Sequence, residues 1–198
     1  MPDAIVSYHQ RSKHHFDHYA LGPDGMDWAT QPDPFRRFAG TPELILPLAA
    51  DLRTVRYANL FEVGSIRPEP LGLESVAVLL ELSFGLSAWK SWGGDRWALR
   101  CNPSSGNLHP TECSIAASGV PEIADGIYHY ACREHLLEQR CAVSFPFSGV
   151  LVGLSSIHWR EAWKYGERAF RYCQHDIGHG LGRLALRRRG VGLAGTAP

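Results

Sequence analysis

An α+β fold is the class this sequence predicts. Two stretches repeat apolar residues at helical spacing: 73–89 and 159–184. Between them lie short segments rich in tyrosine and β-branched residues, which suit a pleated surface. No regular βαβ alternation joins the two kinds of segment, so a doubly wound parallel sheet is not expected.

Taken in order, residues 7–19, SYHQRSKHHFDHY, read as a short helix with Ser7 as its cap. Residues 21–48 hold five of the thirteen prolines, so they read as an irregular arm that wraps or links. This divides the chain into an N-terminal helix and arm, 1–48, and a domain, 49–198. Leu73 to Trp89 reads as a helix, with Leu73, Val76, Leu80 and Phe84 on one stripe and Leu79 widening it. Trp97 to Cys101 and Cys113 to Ala117 read as short strands flanking a turn, and Gly126 to Tyr130 as a better one. Val143 to Leu154, broken by Pro146, Gly149 and Gly153, reads as a strand or a loop feeding a helix. Finally, Trp159, Trp163, Gly166, Phe170, Cys173, Ile177, Leu181 and Leu184 form one apolar seam, on one helix or on two nearly end to end. Gly178, Gly180 and Gly182 fall within it. Each costs a helix about 0.5–1 kcal/mol relative to alanine, so they imply close approach of another backbone, or else fraying.

Bulk properties exclude several function classes. Lysine plus arginine equals aspartate plus glutamate at 20 each, which leaves no electrostatic footprint for nucleic acid or an anionic membrane. The five cysteines, Cys101, Cys113, Cys132, Cys141 and Cys173, are odd in number and lack C-x-x-C spacing, which argues against a disulfide framework or a zinc ribbon. No apolar run approaches the 18 residues of a membrane span, and the N-terminus has no signal-peptide core. A cytoplasmic location is the expectation.

Three groups of residues can carry chemistry. The turn Pro103-Ser104-Ser105-Gly106 is richer in small residues than a surface turn needs, and its hydroxyls and N–H groups can meet the polar edge of a flat ring. Asn107 and His109 extend its reach. The alternative is an ordinary loop. Lys164 and Tyr165 are adjacent titratable groups at the start of the seam, suited to proton removal and donation. Arg168 and Arg171 share a broad face with Lys164 and can meet a phosphate or simply pair with carboxylates. His175 and His179 stand four apart, a zinc-site spacing, as do His14 and His18. Asp176 replaces the glutamate that a metalloprotease has after its first histidine, and would misplace the general base.

Together, and in this order, R-C-N-P-S-S-G-N-L-H-P-T-E at 100–112, G-I-Y-H-Y at 126–130 with H-L-L-E at 135–138, and W-K-Y-G-E-R-A-F-R-Y-C-Q-H-D-I-G-H at 163–179 resemble the nitroreductase-like flavoproteins. The resemblance is to their SagB-type branch, the thiazole/oxazole-forming peptide dehydrogenases. Y-H-Q-R-S-K-H at 8–14 and M-D-W-A-T-Q-P-D-P-F-R-R-F at 26–38 resemble the N-terminal arm of members with two tandem halves. The resemblance implies an antiparallel or mixed sheet flanked by helices, with a long central helix at a dimer or pseudo-dimer interface. It implies FMN as cofactor, lined by Pro103, Ser104, Ser105, Gly106 and Asn107. Arg100 would hold the flavin's polar edge or phosphate, with Arg11, Ser12 and Lys13 as a phosphate-binding segment. Lys164 and Tyr165 match the catalytic pair of peptide azoline dehydrogenases. The implied reaction removes a proton from carbon and passes a hydride to flavin. After Leu186 the sequence departs from the family pattern, implying a frameshifted or truncated end and in turn a weakly binding, non-catalytic half-domain as one alternative. A metal-dependent hydrolase built on His175 and His179 is the other. No G-x-G-x-x-G offers a separate nicotinamide domain.

Overall fold

The computed structural model describes residues 2–193. Its centre is a five-stranded sheet in the order β1-β6-β5-β4-β7, antiparallel at every pairing. The strands are β1 (Glu43–Ile45), β4 (Thr111–Ser118), β5 (Gly126–Ala131), β6 (Leu136–Cys141) and β7 (Gly149–Ser156). A separate hairpin joins β2 (Leu86–Trp92) to β3 (Asp95–Arg100). Among the described residues four α-helices accompany them: α1 (Pro2–Ser12), α2 (Leu73–Phe84), α3 (His158–Tyr165) and α4 (Ala169–Gly190).

α2 is the core helix. Val76, Ala77, Leu80 and Phe84 pack against Ile115, Ala117, Tyr128, Tyr130 and Leu137 of the sheet. The predicted helix through Trp89 is too long. Gly85 ends it by donating its N–H to the carbonyls of Leu80 and Glu81, and a Cβ there would lie 2.5 Å from the Glu81 carbonyl oxygen. The chain then runs extended, and Gly93 and Gly94, with φ of 59° and 98°, turn it back as β3. Two successive positive φ values are the requirement of a tight hairpin turn, which glycine meets without strain.

The predicted helix at 7–19 is displaced. α1 starts at Pro2 and ends at Ser12, so Ser7 lies inside it, accepting a hydrogen bond from Arg11 rather than capping the start. The arm is not wholly irregular, because β1 falls within it and pairs with β6. β6 itself was not expected as a strand; its polar Glu138, Gln139 and Arg140 hide the signal. In the 143–154 stretch, the strand begins only at Gly149.

The seam forms two helices, broken at Gly166 (φ 54°). The buried face of α4 is Ala169, Cys173, Asp176 and Gly180, one step round from the predicted stripe. Phe170 and Leu181 are therefore more than half exposed. Gly180 does serve close packing: a Cβ there would lie 3.1 Å from Leu154 and 3.3 Å from Phe84. Gly178 and Gly182 face open space instead. α4 runs through all three to Gly190, and residues 194–198 at the end of the divergent tail lie outside the described part.

Candidate active site

The site forms where the turn after β3 meets the α3–α4 junction. Gly106 has φ 60°, and Asn107 and His109 also have positive φ, at 60° and 49°. Such backbone costs a non-glycine residue about 1–3 kcal/mol, so side chains must hold it. Three of them do. Asn107 donates from Nδ2 to the Ala98 carbonyl at 2.9 Å, Ser104 Oγ accepts the His109 N–H at 2.8 Å, and His109 Nε2 meets Asn107 Oδ1 at 3.0 Å. The amide oxygen only accepts, so His109 donates from Nε2. Burial, helped by Arg100, pushes the His109 imidazole down to about 3.

From below, α4 anchors the turn. Asp176 is wholly buried and accepts from the Ser105 N–H at 3.1 Å and from Ser105 Oγ at 3.3 Å. From the side, α3 brings Lys164 and Tyr165 over it. A Cβ on Gly106 would lie 2.6 Å from Tyr165 Oη and 3.2 Å from Lys164 Nζ. The turn at Gly106 and the pair Lys164 and Tyr165, about sixty positions apart in sequence, thus lie side by side. Burial, reinforced by the negative charge of Glu161, raises the Tyr165 phenol above its usual value, so it remains a proton donor.

The other expected residues lie beyond the α3–α4 break. Arg11 pairs with Glu167 at 2.5 Å. Ser12 is buried and accepts from Arg171 Nη2 at 3.0 Å, and Arg171 also meets His9. Arg168 bonds His14 at 2.6 Å and reaches the Tyr172 hydroxyl; the Tyr172 ring lies 4.3 Å from that of Tyr165. Of the three arginines at this junction only Arg11 meets a carboxylate among the described residues; Arg171 is held by Ser12 and His9, and Arg168 by His14 and by Tyr172, whose ring leads on to Tyr165. Beside them opens a cavity of about 700 Å³ lined by Arg11, Tyr19, Pro23, Gly166 and Glu167 among others. Lys13 is half-buried at the end of α1. Arg100 is placed differently from the rest: it is buried under the arm, donates to the Pro34 and Thr111 carbonyls, and faces the Phe35 ring.

Comparison with known proteins bears on this arrangement. No family model matches the chain. A crystal structure named as a nitroreductase from Anabaena variabilis aligns with 90% of the chain at a TM-score of 0.70 and 26% identity. The chain spans only 37% of that protein's length. A second such structure, from Ralstonia eutropha, aligns over 80% of the chain and 76% of its own at TM-score 0.58 and 17% identity. The fold is nitroreductase-like. A protein of Methanocaldococcus jannaschii named as a nitroreductase is 22% identical over 77% of the chain and 81% of its own length. A chain of the E. coli microcin synthetase McbBCD complex, solved with truncated pro-MccB17 bound, aligns over 97% of this chain and 80% of its own at TM-score 0.51 and 16% identity.

Within this nitroreductase-like fold, sequence reasoning passed over one residue. Glu161, one turn before Lys164 and Tyr165, is fully buried with neither carboxylate oxygen hydrogen-bonded. Burial, with the Asp176 charge adding to it, pushes its carboxyl up to about 8. Burial raises Asp176 as well, partly offset by its serine partners. The signal was present in W-R-E-A-W-K-Y as an acid among aromatic residues. The His175 and His179 rings do not join a three-ligand group among the described residues; His175 lies edge-on to Tyr172. No described helix is long and apolar enough to cross a membrane.

An FMN group fits the residues present. The Pro103–Gly106 turn is exposed or half-buried and carries no side chain larger than proline, so a flat ring can approach it. The arginine group at the α3–α4 junction supplies cationic donors suited to a phosphate.

Proposed function

We propose that the chain is a flavin-dependent oxidoreductase holding FMN between the Pro103–Gly106 turn and the α3–α4 junction. The observation that carries this reading is the convergence of that turn with Lys164 and Tyr165, supported by the nitroreductase names of its relatives. Pro103, Ser104, Ser105, Gly106 and Asn107 would line the ring. Arg11, with Arg168 and Arg171, would meet the phosphate, Ser12 and Lys13 completing that segment. Arg100 would act indirectly, clamping the arm against β4. FMN supplies hydride transfer when bound. Lys164 would take the proton from the substrate carbon while the hydride leaves to the flavin, and the Tyr165 phenol, held protonated, would donate a hydrogen bond to the substrate.

A small or peptide-derived substrate of the SagB type is the finer proposal, motivated by the fold likeness to the microcin synthetase chain. So is a second nitroreductase-like half, either another copy or a tandem partner. The open face of α4, with Phe170 and Leu181 exposed and space above Gly178 and Gly182, is where it would pack.

The test is gel filtration of the chain after incubation with FMN, followed by turnover on an azoline-bearing peptide. Flavin absorbance that co-elutes with protein is the expected result. Flavin that elutes entirely free would overturn the reading for this chain. Lys164→Ala should retain flavin and lose turnover by about 10²–10⁴-fold, the usual worth of a general base; undiminished turnover removes Lys164 from the reaction.

A further inference from the structure

The geometry points to a divalent transition-metal site at His15, Asp17 and His18, on the segment between α1 and the arm. One ligand atom from each of the three lies within 4.8 Å of the others. A zinc ion with ligands at about 2.0–2.2 Å brings its donors to roughly 3.3–3.6 Å from one another. Imidazole lone pairs lie in the ring plane, so one ring must also turn relative to the other for both to face a single ion, a movement open to the exposed Asp17 and His18 side chains.

Backbone bonds hold the cluster together before any ion arrives. The His15 N–H donates to the His18 carbonyl at 2.9 Å, closing the turn. The two imidazoles stack at 4.5 Å between centroids, only 11° from parallel. His15 Nε2 lies 3.0 Å from the Gln10 carbonyl. A carbonyl only accepts, so Nε2 carries the proton and the lone pair sits on Nδ1. A ligating histidine is commonly fixed in this way, with its second nitrogen bonded to a backbone carbonyl. His18 Nδ1 lies 3.0 Å from Asp17 Oδ1. A metal that replaces the proton between these two atoms takes Asp17 and His18 together as ligands. Two imidazoles and a carboxylate suit zinc, copper, nickel or cobalt better than magnesium or calcium. Three protein ligands leave a position for water.

The neighbouring His14 is directed elsewhere. Its Nδ1 accepts the Ala20 N–H at 3.1 Å and its Nε2 meets Arg168. The site therefore uses His15 with His18, not the His14 and His18 pair that the sequence spacing suggests; α1 ends before either of these. The bound ion would tie the 13–20 segment to the end of α1, on the rim of the cavity that His18 also lines. This inference is independent of flavin binding.

The test is calorimetric titration of zinc into tag-free chain that has been stripped with chelator. One saturable site is expected, with affinity reduced at least about tenfold in His15→Ala and in His18→Ala, and retained in the His175→Gln/His179→Gln double variant. No saturable binding by the wild type would overturn the proposal. So would unchanged binding in a His15→Ala/His18→Ala variant, or a loss that follows His175 and His179 instead. Thermal unfolding of the metal-free variants, expected to match the wild type, shows that loss of affinity is not loss of fold.

Discussion

At Gly106 a methyl group decides whether the site can assemble. Gly106→Ala places Cβ against Tyr165 Oη and in a left-handed backbone conformation. A cost of about 1–2 kcal/mol is expected in thermal unfolding, with weaker FMN binding in titration as the turn that would line the ring is displaced. Glu161 predicts a pH effect of unusual sign. Its folded carboxyl holds a proton up to about pH 8, whereas an unfolded glutamate releases it near 4.5. Between those values the unfolded chain binds fewer protons, so stability falls as pH rises through that window. Glu161→Gln should flatten this loss, matching the wild type near pH 4 and exceeding it by roughly 2–4 kcal/mol at pH 8 in denaturant melts, since a tenfold change in proton affinity is about 1.4 kcal/mol. His109 acts on the acid side. Its folded value near 3 lies below the free imidazole value of 6.5, so stability is also lost as pH falls between them. These residue-scale properties were only partly legible in the sequence. The small turn and the Lys-Tyr pair stand out as residue types. That Arg100 is covered by Pro34 and Phe35, and that Glu161 has no partner, depends on which segments fold over them.

Among the elements, α4 separates two roles that its sequence merges. Gly178→Ala and Gly182→Ala, with nothing within 4 Å, should each stabilise the isolated chain by about 0.5–1 kcal/mol. Gly180→Val should destabilise it by about 1–3 kcal/mol by overpacking Leu154 and Phe84. Denaturant melts of the three variants check both signs; a uniform response would mean that α4 packs differently. Helical period alone gave the helix but placed its buried face one residue out, because Asp176, a polar residue, is buried and Phe170, an apolar one, is not. Apolar counting cannot foresee a carboxylate drawn inward to hold a backbone turn. The overlong α2 has a similar cause: Trp89 continues an apolar pattern, but the Gly85 stop and Gly93-Gly94 turn override it.

Across the whole molecule, the sheet is fastened to the arm by buried charge. His129 lies between Glu138 at 2.8 Å and Glu112 at 2.7 Å; Arg37 of the arm meets Glu138 at 2.7 Å, and Arg160 of α3 meets Glu112 at 2.5 Å. Burial opposes ionisation of both glutamates. His129 and Arg160 outweigh it at Glu112, and Arg37, the Phe38 N–H and His129 do so at Glu138, so both sit below the usual carboxylate range. Removing the central ring strands two buried charges, each with one remaining cation. His129→Gln should lower stability by about 3 kcal/mol in chemical denaturation, as breaking a buried pair does; a change below about 1 kcal/mol would mean that the buried charges add little to the strand pairing and packing of β4, β5 and β6.

The pairing of arm and sheet also sets an order of events during synthesis. Arg37 and Glu138 are 101 residues apart in sequence. At about 5–20 residues per second, the arm emerges from the ribosome roughly 5–20 s before its partner strand exists. Through that interval β1 has nothing to pair with. When β6 appears its outer edge is open to any extended segment until the arm docks. Nascent chains crowded on one message are the competitors, so a weakened arm would be expected to show first as aggregation during expression, ahead of any fall in the melting temperature of the protein that survives.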